Sequence, residues 1–428
     1  MTTNTSFDIT QPLPQGTVLL AASAGTGKTW TISAVCAKAI ATGLVHMENL
    51  LLVTFNRSAA RELRGRVYER LVNTRLLLAG AREPSDPCDW SLIRCGQAGL
   101  TRVESALDNF DRAVITTTHE FASRMLVELG VLSDHDPSSV LMTDLAPLAT
   151  EVSDDHYLAQ YLDCDRPPSV RDKRELSRDV AVKYGEVPIF SKDDADTPVQ
   201  DVLWALSVRE DVRRRSKSRS VHTFDDLIGD LVKALRDPYR GPLACATLAH
   251  RFGLVMVDEF QDTDPLQWEI LRRAFHGHSN LWLIGDPKQS IYAFRGADIH
   301  AYQDAAQSAS HVLHLDVNYR TDKPIVEAVN TLFSNAQLGH DISMELVTAH
   351  HQESRIKTAA TDGPRYHWSQ PFQIRCLQAP AGAQLNTATS DQFVTEDLVN
   401  QVIMMLEGGT AVSYTHLRAH EMLRYLVC

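Results

Sequence analysis

The chain has 428 residues, with 42 Lys and Arg against 54 Asp and Glu, which gives a formal net charge of −12. That length allows two or three domains, and its ordinary shares of apolar residues (44%) and charged residues (22%) exclude a disordered or fibrous chain. The acidic balance argues against coating of nucleic acid by bulk charge, although it leaves room for a local basic groove.

No targeting or membrane segment is evident in the sequence. Residues 1–10 are polar and lack a basic stretch followed by an apolar core, and no apolar run approaches the ~20 residues that span a bilayer. The seven cysteines are scattered and contain no C-x-x-C pair, which favours reduced and mostly buried thiols over disulfides, a zinc site or an iron–sulfur cluster. We therefore expect a cytoplasmic protein with no membrane partner.

Short apolar runs rich in β-branched residues alternate with helical stretches along much of the chain. The six runs predicted as strands are residues 18–22, 50–55, 113–117, 254–258, 281–285 and 312–317. Runs that are apolar on both faces and alternate with helices indicate a parallel sheet covered on both sides. The predicted fold class is therefore α/β.

The strand pattern is interrupted between residues 130 and 221. This stretch begins with acidic and Pro-containing segments, continues with helical ones and ends in a basic run at residues 213–219. We interpret it as a mostly helical insertion, without strands, between two parts of one α/β domain, residues 1–129 and 222–313.

A second unit is expected over residues 314–410. Residues 372–377 are predicted to form a strand, and a helix is predicted from Thr395, a good N-cap, to Leu406.

A phosphate-binding pattern directly follows the first predicted strand. It comprises Ala22, Ser23, Ala24, Gly25, Thr26, Gly27, Lys28 and Thr29, with Ala22 in place of the leading glycine. Glycines let backbone N–H groups approach phosphate oxygens, and the helix N-terminus adds partial positive charge. Lys28 would reach the β- and γ-phosphates, and Thr29 would offer its hydroxyl to Mg²⁺. An ordinary Gly-rich turn is the alternative, which the strand–loop–helix context disfavours.

Two acids end a later predicted strand. Asp258 would hold Mg²⁺, and Glu259 would orient and deprotonate the attacking water. Two acids can also simply terminate a strand. Together with the phosphate loop, however, they predict an enzyme that hydrolyses ATP or GTP.

Residues 257–262 (VDEFQD) and 285–297 (GDPKQSIYAFRGA) resemble motifs II and III of superfamily I DNA helicases of the UvrD/Rep type. The phosphate loop with the preceding Gln15 and Gly16, and residues 258–265, are most similar to RecB-type subunits of exodeoxyribonuclease V. The resemblance covers nearly all of residues 12–410 and implies a P-loop NTPase (RecA-like) core with the start of a second RecA-like domain. It further implies an ATP-dependent 3′→5′ helicase or translocase motor of a recombinational double-strand-break repair complex.

The resemblance also implies partners and residue roles. The partners would be single-stranded DNA, duplex ends, and RecC- and RecD-like subunits. Gln15 would read the adenine edge, and Trp30 and Tyr319 would flank the adenine ring. Gln289 would sense the γ-phosphate and couple hydrolysis to DNA, and Arg320 would stabilise transition-state charge as an arginine finger.

The expected DNA contacts combine aromatic groups for base stacking with hydroxyl, amide and basic groups for phosphates. They are Thr54, Phe55, Asn56, Arg57, Thr118, His119, Tyr292, Phe294 and Arg295. Core packing is the alternative for Tyr292 and Phe294, and His119 stays open between a DNA contact and a structural histidine or helix cap. A solvated charged helix is favoured for most of the basic run at 213–219, with one or two side chains on DNA phosphates.

Counterparts of the family's later helicase motifs and of the nuclease centre are not found in this sequence. Residues 411–428 resemble non-native translated sequence. We therefore expect the N-terminal part of a longer helicase–nuclease subunit, binding ATP and, weakly, DNA, with little or no unwinding alone. A non-catalytic ATP-binding module and a P-loop NTPase of another class, such as a kinase or GTPase, remain alternatives.

Overall fold

The computed structural model describes residues 5–133, 140–142, 144–183, 199–291, 298–334, 336–338, 342, 344–353, 355–357, 372, 374, 376–377, 386–407 and 411–412. The chain divides into two units. The first holds Met1–Ala21 and Thr29–His314, and the second holds Ala22–Lys28 and Leu315–Cys428.

Strands and helices alternate through the described residues. The strands are β1 (Thr5–Ser6), β2 (Thr17–Ala22), β3 (Leu50–Thr54), β4 (Val114–Thr117), β5 (Val140–Leu141), β6 (Val221–His222), β7 (Leu254–Val257), β8 (Asn280–Gly285), β9 (His311–Leu315), β10 (Val317–Asn318), β11 (Thr348–Ala349), β12 (Ile356–Lys357) and β13 (Ala411–Val412). The helices are α1 (Lys28–Thr42), α2 (Arg57–Leu78), α3 (Pro87–Leu92), α4 (Gly96–Asp108), α5 (Thr118–Leu129), α6 (Ala146–Tyr161), α7 (Val170–Lys183), α8 (Val199–Ser218), α9 (Phe224–Arg236), α10 (Gly241–Arg251), α11 (Pro265–Phe275), α12 (Ile299–Ser308), α13 (Lys323–Phe333) and α14 (Thr387–Glu407).

Among the described strands, seven form one sheet in the order β1-β9-β2-β8-β7-β3-β4. Its central strands run parallel, with Ala21 opposite Gly285 and with Val257 opposite both Leu283 and Val53. This register brings the carboxyl ends of β2, β8, β7 and β3 to one edge, where loop residues of different strands meet. The predicted α/β class and the six predicted strands are confirmed, with strand ends shifted by one or two residues.

The sheet is apolar on both faces because helices cover both. All residues of β3 and β7 are buried. On one face, Leu51 and Val53 join a cluster with Phe121, Phe252 and Phe275, each of which is at most 3% exposed. Burial of such a side chain contributes about 1.5–3 kcal/mol, so this cluster holds the strand ends in fixed positions.

The helices α6, α7 and α8 of the insertion pack around Trp204, which is 2% exposed. Next to it, Lys173 is buried, 2.6 Å from an Asp201 carboxylate oxygen and 4.8 Å from the centre of the Trp204 ring. The described residues between 130 and 221 are largely helical, but the expectation that this stretch contains no strand is wrong. β5 pairs in parallel with β6, with Val140 opposite Val221.

Much of the basic run at residues 213–219 is neutralised inside the insertion. Arg215 lies 2.9 Å from Glu151 and 2.6 Å from Asp155, and Arg219 lies 2.7 Å from Glu151. These ion pairs favour the interpretation of most of this run as a solvated charged helix.

In the second unit, α14 begins eight residues before the predicted start. Thr395 is in the helix interior, where its hydroxyl donates to the Asp391 carbonyl at 2.7 Å. The predicted N-cap is therefore wrong, and the Asn386 side chain accepts the backbone N–H of Thr389 at 2.8 Å instead. The described residues within 372–377 are not in a strand, and the rest of that prediction lies outside the described residues.

Two further predictions concern cysteines and membranes. The six described cysteines are free thiols, as expected, but the expectation that they are mostly buried is wrong, because among them only Cys36 and Cys88 are buried. Burial raises the pKa of Cys36 to about 12. No helix in the described ranges is long and apolar enough to cross a membrane.

Candidate functional site

The phosphate loop joins β2 to α1, as its pattern predicts. Gly25 and Gly27 have φ angles of +82° and +87°, in the left-handed region that glycine tolerates and other residues avoid. Thr26 is buried, and both its backbone N–H and its hydroxyl donate to the Ser23 carbonyl, at 3.2 Å and 2.8 Å. The loop is thus a closed turn that leads into the first turn of a helix, where Lys28 and Thr29 lie.

Within the second unit, residues 318–320 are tied to this loop through Asn318. Its amide donates to the Ala24 carbonyl at 3.0 Å and accepts the backbone N–H of Arg320 at 2.9 Å. The N–H of Tyr319 donates to the Gly25 carbonyl at 2.8 Å. The structure therefore brings Tyr319 and Arg320 next to the phosphate loop.

Asn318 was not predicted as a site residue, although it stands in the same Asn-Tyr-Arg triplet. The Asn318 side chain is 7% exposed and lies so close to Gly25 that a side chain at position 25 would collide with it. A Cβ at Gly25 would lie 2.8 Å from the Cβ of Arg320 and 2.9 Å from Oδ1 of Asn318. The Tyr319 ring, which is 53% exposed, lies 4.8 Å from the ring of His350.

In the first unit, Asp258 and Glu259 follow β7. The N–H of Asp258 donates to the Val53 carbonyl at 2.9 Å, and its carboxylate accepts the N–H of Glu259 at 3.0 Å. Glu259 has a φ of +53°, and among the described non-glycine residues only Ser220 shares a positive φ. Such a conformation costs about 1–2 kcal/mol and persists where the surroundings impose it, often at functional sites.

A buried glutamine connects Glu259 to the next strand end. The Gln261 amide donates to the Glu259 carboxylate at 2.8 Å, and its oxygen accepts the N–H of Asp286 at 3.0 Å. Asp286 in turn accepts from the Gln289 amide at 2.8 Å and pairs with Lys288 at 2.8 Å. The structure brings together Glu259 and Gln289, both predicted from the sequence, through Gln261, which was not.

Trp30 lies on α1 and is 41% exposed. The Arg70 guanidinium of α2 lies 5.7 Å from the centre of its ring and is held by Asp86 and Asp89 at 2.5 Å and 3.0 Å. Trp30 therefore has an exposed ring with a fixed cationic neighbour, which suits a stacking surface. Gln15 is exposed and is separated from the start of β2 by Gly16 alone.

The four residues after β3 that are predicted to contact DNA differ in burial and in hydrogen-bond partners. Thr54 is 1% exposed and its hydroxyl donates to the Asn56 carbonyl at 3.1 Å. The Asn56 side chain caps α2 by accepting the N–H of Ala59 at 2.8 Å. Both side chains thus have partners in the local backbone, although only Thr54 is buried. Asn56, Phe55 and Arg57 are exposed, and Arg57 pairs with Glu120 at 2.7 Å.

After β4, Thr118 and His119 form the first turn of α5. The His119 ring packs edge to face against Phe224, with ring centres 5.9 Å apart. The two rings line a pocket of about 490 Å³ that Arg57 and Arg124 also line. Glu120 and Glu128 line the pocket as well, so its walls combine aromatic rings with side chains of both charges. Tyr292, Phe294 and Arg295 lie outside the described residues.

Comparison with known proteins identifies relatives of the chain. Residues 3–310 match the family model of the UvrD/REP helicase N-terminal domain. The chain is 36% identical to the RecBCD enzyme subunit RecB of Mycobacterium tuberculosis (strain CDC 1551 / Oshkosh) over 421 residues, which is 94% of this chain and 37% of that protein.

Two further relatives share shorter or more distant matches. The RecBCD enzyme subunit RecB of Escherichia coli (strain K12) is 46% identical over 129 residues, 30% of this chain and 11% of that protein. The ATP-dependent DNA helicase UvrD1 of Mycobacterium bovis (strain ATCC BAA-935 / AF2122/97) is 27% identical over 326 residues, 74% of this chain and 37% of that protein. At most, the chain spans 37% of the length of these relatives.

Proposed function

Since this chain belongs to the UvrD/REP helicase family, we propose that it is an ATP-driven motor segment that acts on single-stranded DNA in the 3′→5′ direction. The phosphate loop carries the proposal, because its two left-handed glycines and following helix form a phosphate-binding turn. The tie between this loop and residues 318–320 adds a cation, Arg320, and an aromatic ring, Tyr319.

In this proposal, the roles toward ATP follow the chemistry of each side chain. Lys28 and the loop N–H groups bind the phosphates, and Arg320 stabilises the charge that develops in the transition state. Gln15 contacts the adenine edge, and Trp30 and Tyr319 stack on the adenine ring. Glu259 orients and deprotonates the attacking water.

The available oxygen ligands fit a magnesium ion. The Thr29 hydroxyl and the Asp258 carboxylate are hard oxygen donors, and Mg²⁺ in nucleotide enzymes takes one or two such groups together with phosphate oxygens and water. When bound, the ion neutralises phosphate charge. Asp258 keeps a fixed orientation through its contact with the N–H of Glu259 at 3.0 Å.

For DNA, we propose that the exposed side chains of Phe55 and Arg57 and the pocket of His119 and Phe224 bind the single strand. Aromatic faces bind bases of any sequence, and guanidinium groups bind phosphates. Thr54, which is buried, and Asn56, which is exposed, also support the shape of this loop through contacts with the local backbone. The contacts expected of Thr118, Tyr292, Phe294 and Arg295 are part of the same proposal.

The relatives suggest a setting for this motor. Two of them are named as the RecB subunit of the RecBCD enzyme. We propose that this chain serves a cytoplasmic repair assembly of that kind, with RecC- and RecD-like partners at duplex ends.

The test is the ATPase activity of the purified chain with and without single-stranded DNA. We expect turnover stimulated by DNA, and its loss in Lys28→Ala, with the exposed Lys233→Ala as the control that retains it. Turnover without stimulation would indicate a P-loop NTPase of another class. Binding of ATP without any turnover would indicate a non-catalytic module, and unchanged turnover in Lys28→Ala would refute the phosphate-loop assignment.

A further inference from the structure

The side chain of Gln261 is 2% exposed and hydrogen-bonds to the Glu259 carboxylate and to the backbone N–H of Asp286. It follows Glu259 by two residues, and its partner Asp286 follows the neighbouring strand β8. A buried amide needs partners for both its N–H donors and its oxygen, or it costs about 1–3 kcal/mol. Both partners of Gln261 belong to segments with proposed roles in hydrolysis.

The residue between Glu259 and Asp286 forms a hydrogen-bonded bridge, and it must donate to Glu259 and accept from Asp286. The Glu259 carboxylate can only accept, and it receives the Gln261 amide N–H at 2.8 Å. The backbone N–H of Asp286 can only donate, and it reaches the Gln261 oxygen at 3.0 Å. The neutral amide of Gln261 satisfies both, whereas an ionised glutamate lacks the donor and a methionine has neither an N–H nor an oxygen.

The backbone around the bridge is shaped to keep it in place. A Cβ at Gly285 would lie 2.5 Å from the Gln261 oxygen, so glycine is required for the amide to reach Asp286. The Ser290 hydroxyl donates to the Gln261 carbonyl at 3.2 Å. On the other side, the left-handed backbone of Glu259 aims its carboxylate at the amide.

We infer that Gln261 is a positioning residue that couples the Glu259 carboxylate to the segment from Asp286 to Gln289, so that movement of this segment changes the alignment of the hydrolytic base. The inference rests on the proposed function, in which Glu259 acts on water and Gln289 responds to the γ-phosphate and DNA. Asp286 connects Gln261 to Gln289, since its N–H donates to the Gln261 oxygen and its carboxylate accepts the Gln289 amide N–H at 2.8 Å. The segment leads along the chain directly into residues 292–295, the proposed DNA contacts.

The test compares Gln261→Met, which removes both hydrogen bonds at similar size, with Gln261→Glu, which keeps an acceptor for Asp286 but loses the donor to Glu259. A misplaced catalytic group costs up to about 100-fold in rate. We therefore expect the DNA-stimulated kcat to fall about 10- to 100-fold in both variants, with the KM for ATP changed by less than about threefold. We expect the ratio of rates with and without DNA to fall toward one in Gln261→Met.

Gly285→Ala is the second variant, because it displaces the amide without altering Gln261 itself, and we expect the same loss of kcat. The control is Asn49→Ala at the opposite edge of the sheet, which removes an amide contact of 2.9 Å to the Arg251 carbonyl. It is expected to change thermal stability but neither kcat nor the DNA ratio.

The inference is overturned if Gln261→Met folds and keeps both kcat and the DNA ratio within about twofold of the unsubstituted protein, or if it alters only the melting temperature as Asn49→Ala does. If Gln261→Met does not fold, the same limits on kcat and on the DNA ratio are applied to Gly285→Ala and Gln261→Glu. Absence of turnover in the unsubstituted protein refutes the proposed function and this inference together. Normal DNA-stimulated turnover in all variants refutes the inference alone.

Discussion

Alanine at Gly25 and at Gly27 should weaken nucleotide binding to different extents, although both glycines have nearly the same φ, +82° and +87°. The left-handed conformation costs a non-glycine residue about 1–2 kcal/mol. The surroundings differ, because a Cβ at Gly27 would meet only the Tyr319 ring, at 3.9 Å. Gly27→Ala therefore isolates the conformational cost.

At Gly25 a second cost is added. Its Cβ would lie 2.8 Å from the Cβ of Arg320 and 2.9 Å from the Asn318 oxygen, closer than such atoms approach. The segment is held by Asn318, so relief requires loss of its 3.0 Å bond to the Ala24 carbonyl or a shift of the loop. Loss of a hydrogen bond to a buried group costs about 1–3 kcal/mol.

These magnitudes translate into affinity for Mg·ATP at about 1.4 kcal/mol per tenfold change. We expect the Kd to rise about 10-fold in Gly27→Ala and about 100-fold or more in Gly25→Ala. Titration calorimetry or a fluorescent ATP analogue measures both, and far-UV circular dichroism checks that each variant is folded. Equal Kd values for the two folded variants would refute the argument that residues 318–320 set the shape of the loop.

Three further variants test other parts of the account. Glu259→Gln is expected to lower kcat by about 100-fold or more while ATP binding is retained, and a turnover rate close to that of the unsubstituted protein would exclude Glu259 as the base. Arg57→Ala should weaken single-stranded DNA binding and reduce the slope of log affinity against log salt by about one, whereas an unchanged slope would show that Arg57 contacts no phosphate. Arg236 and Arg273 hold the pKa of Glu269 down from 4.5 to about 2, so this pairing stabilises the fold above about pH 4.5 and is lost as the pH falls toward 2. Glu269→Gln should therefore lower the free energy of unfolding by about 1–3 kcal/mol at pH 7 and by less at pH 3, and urea titrations giving the same loss at both pH values would contradict this.

The sequence predicts the elements whose signals are local. The six strands carry continuous apolar runs, and the phosphate loop combines its glycines with a preceding strand and a following helix. Such signals depend on neighbours within a few residues, so they are readable without tertiary structure. The start of α14 shows where such local signals fail to predict an element boundary. Thr395 has the chemistry of an N-cap but lies inside the helix.

The contacts that join separate segments could not be predicted in this way. Asn318 reaches Ala24 across 294 positions, and Gln261 reaches Asp286 across 25. Neither amide differs in sequence from an ordinary surface residue, so their roles emerge from burial and geometry. The same holds for the local backbone contacts of Thr54 and Asn56, two residues whose predicted contacts with DNA remain predictions.

The most direct test of the central claim is the steady-state ATPase rate of the purified chain as single-stranded DNA is added. The account predicts a rate that rises with DNA to a plateau, and that loses this response when Lys28 is replaced by alanine. A rate that is the same with and without DNA, in a folded protein that binds Mg·ATP, would contradict the claim that this chain is a DNA-responsive motor segment.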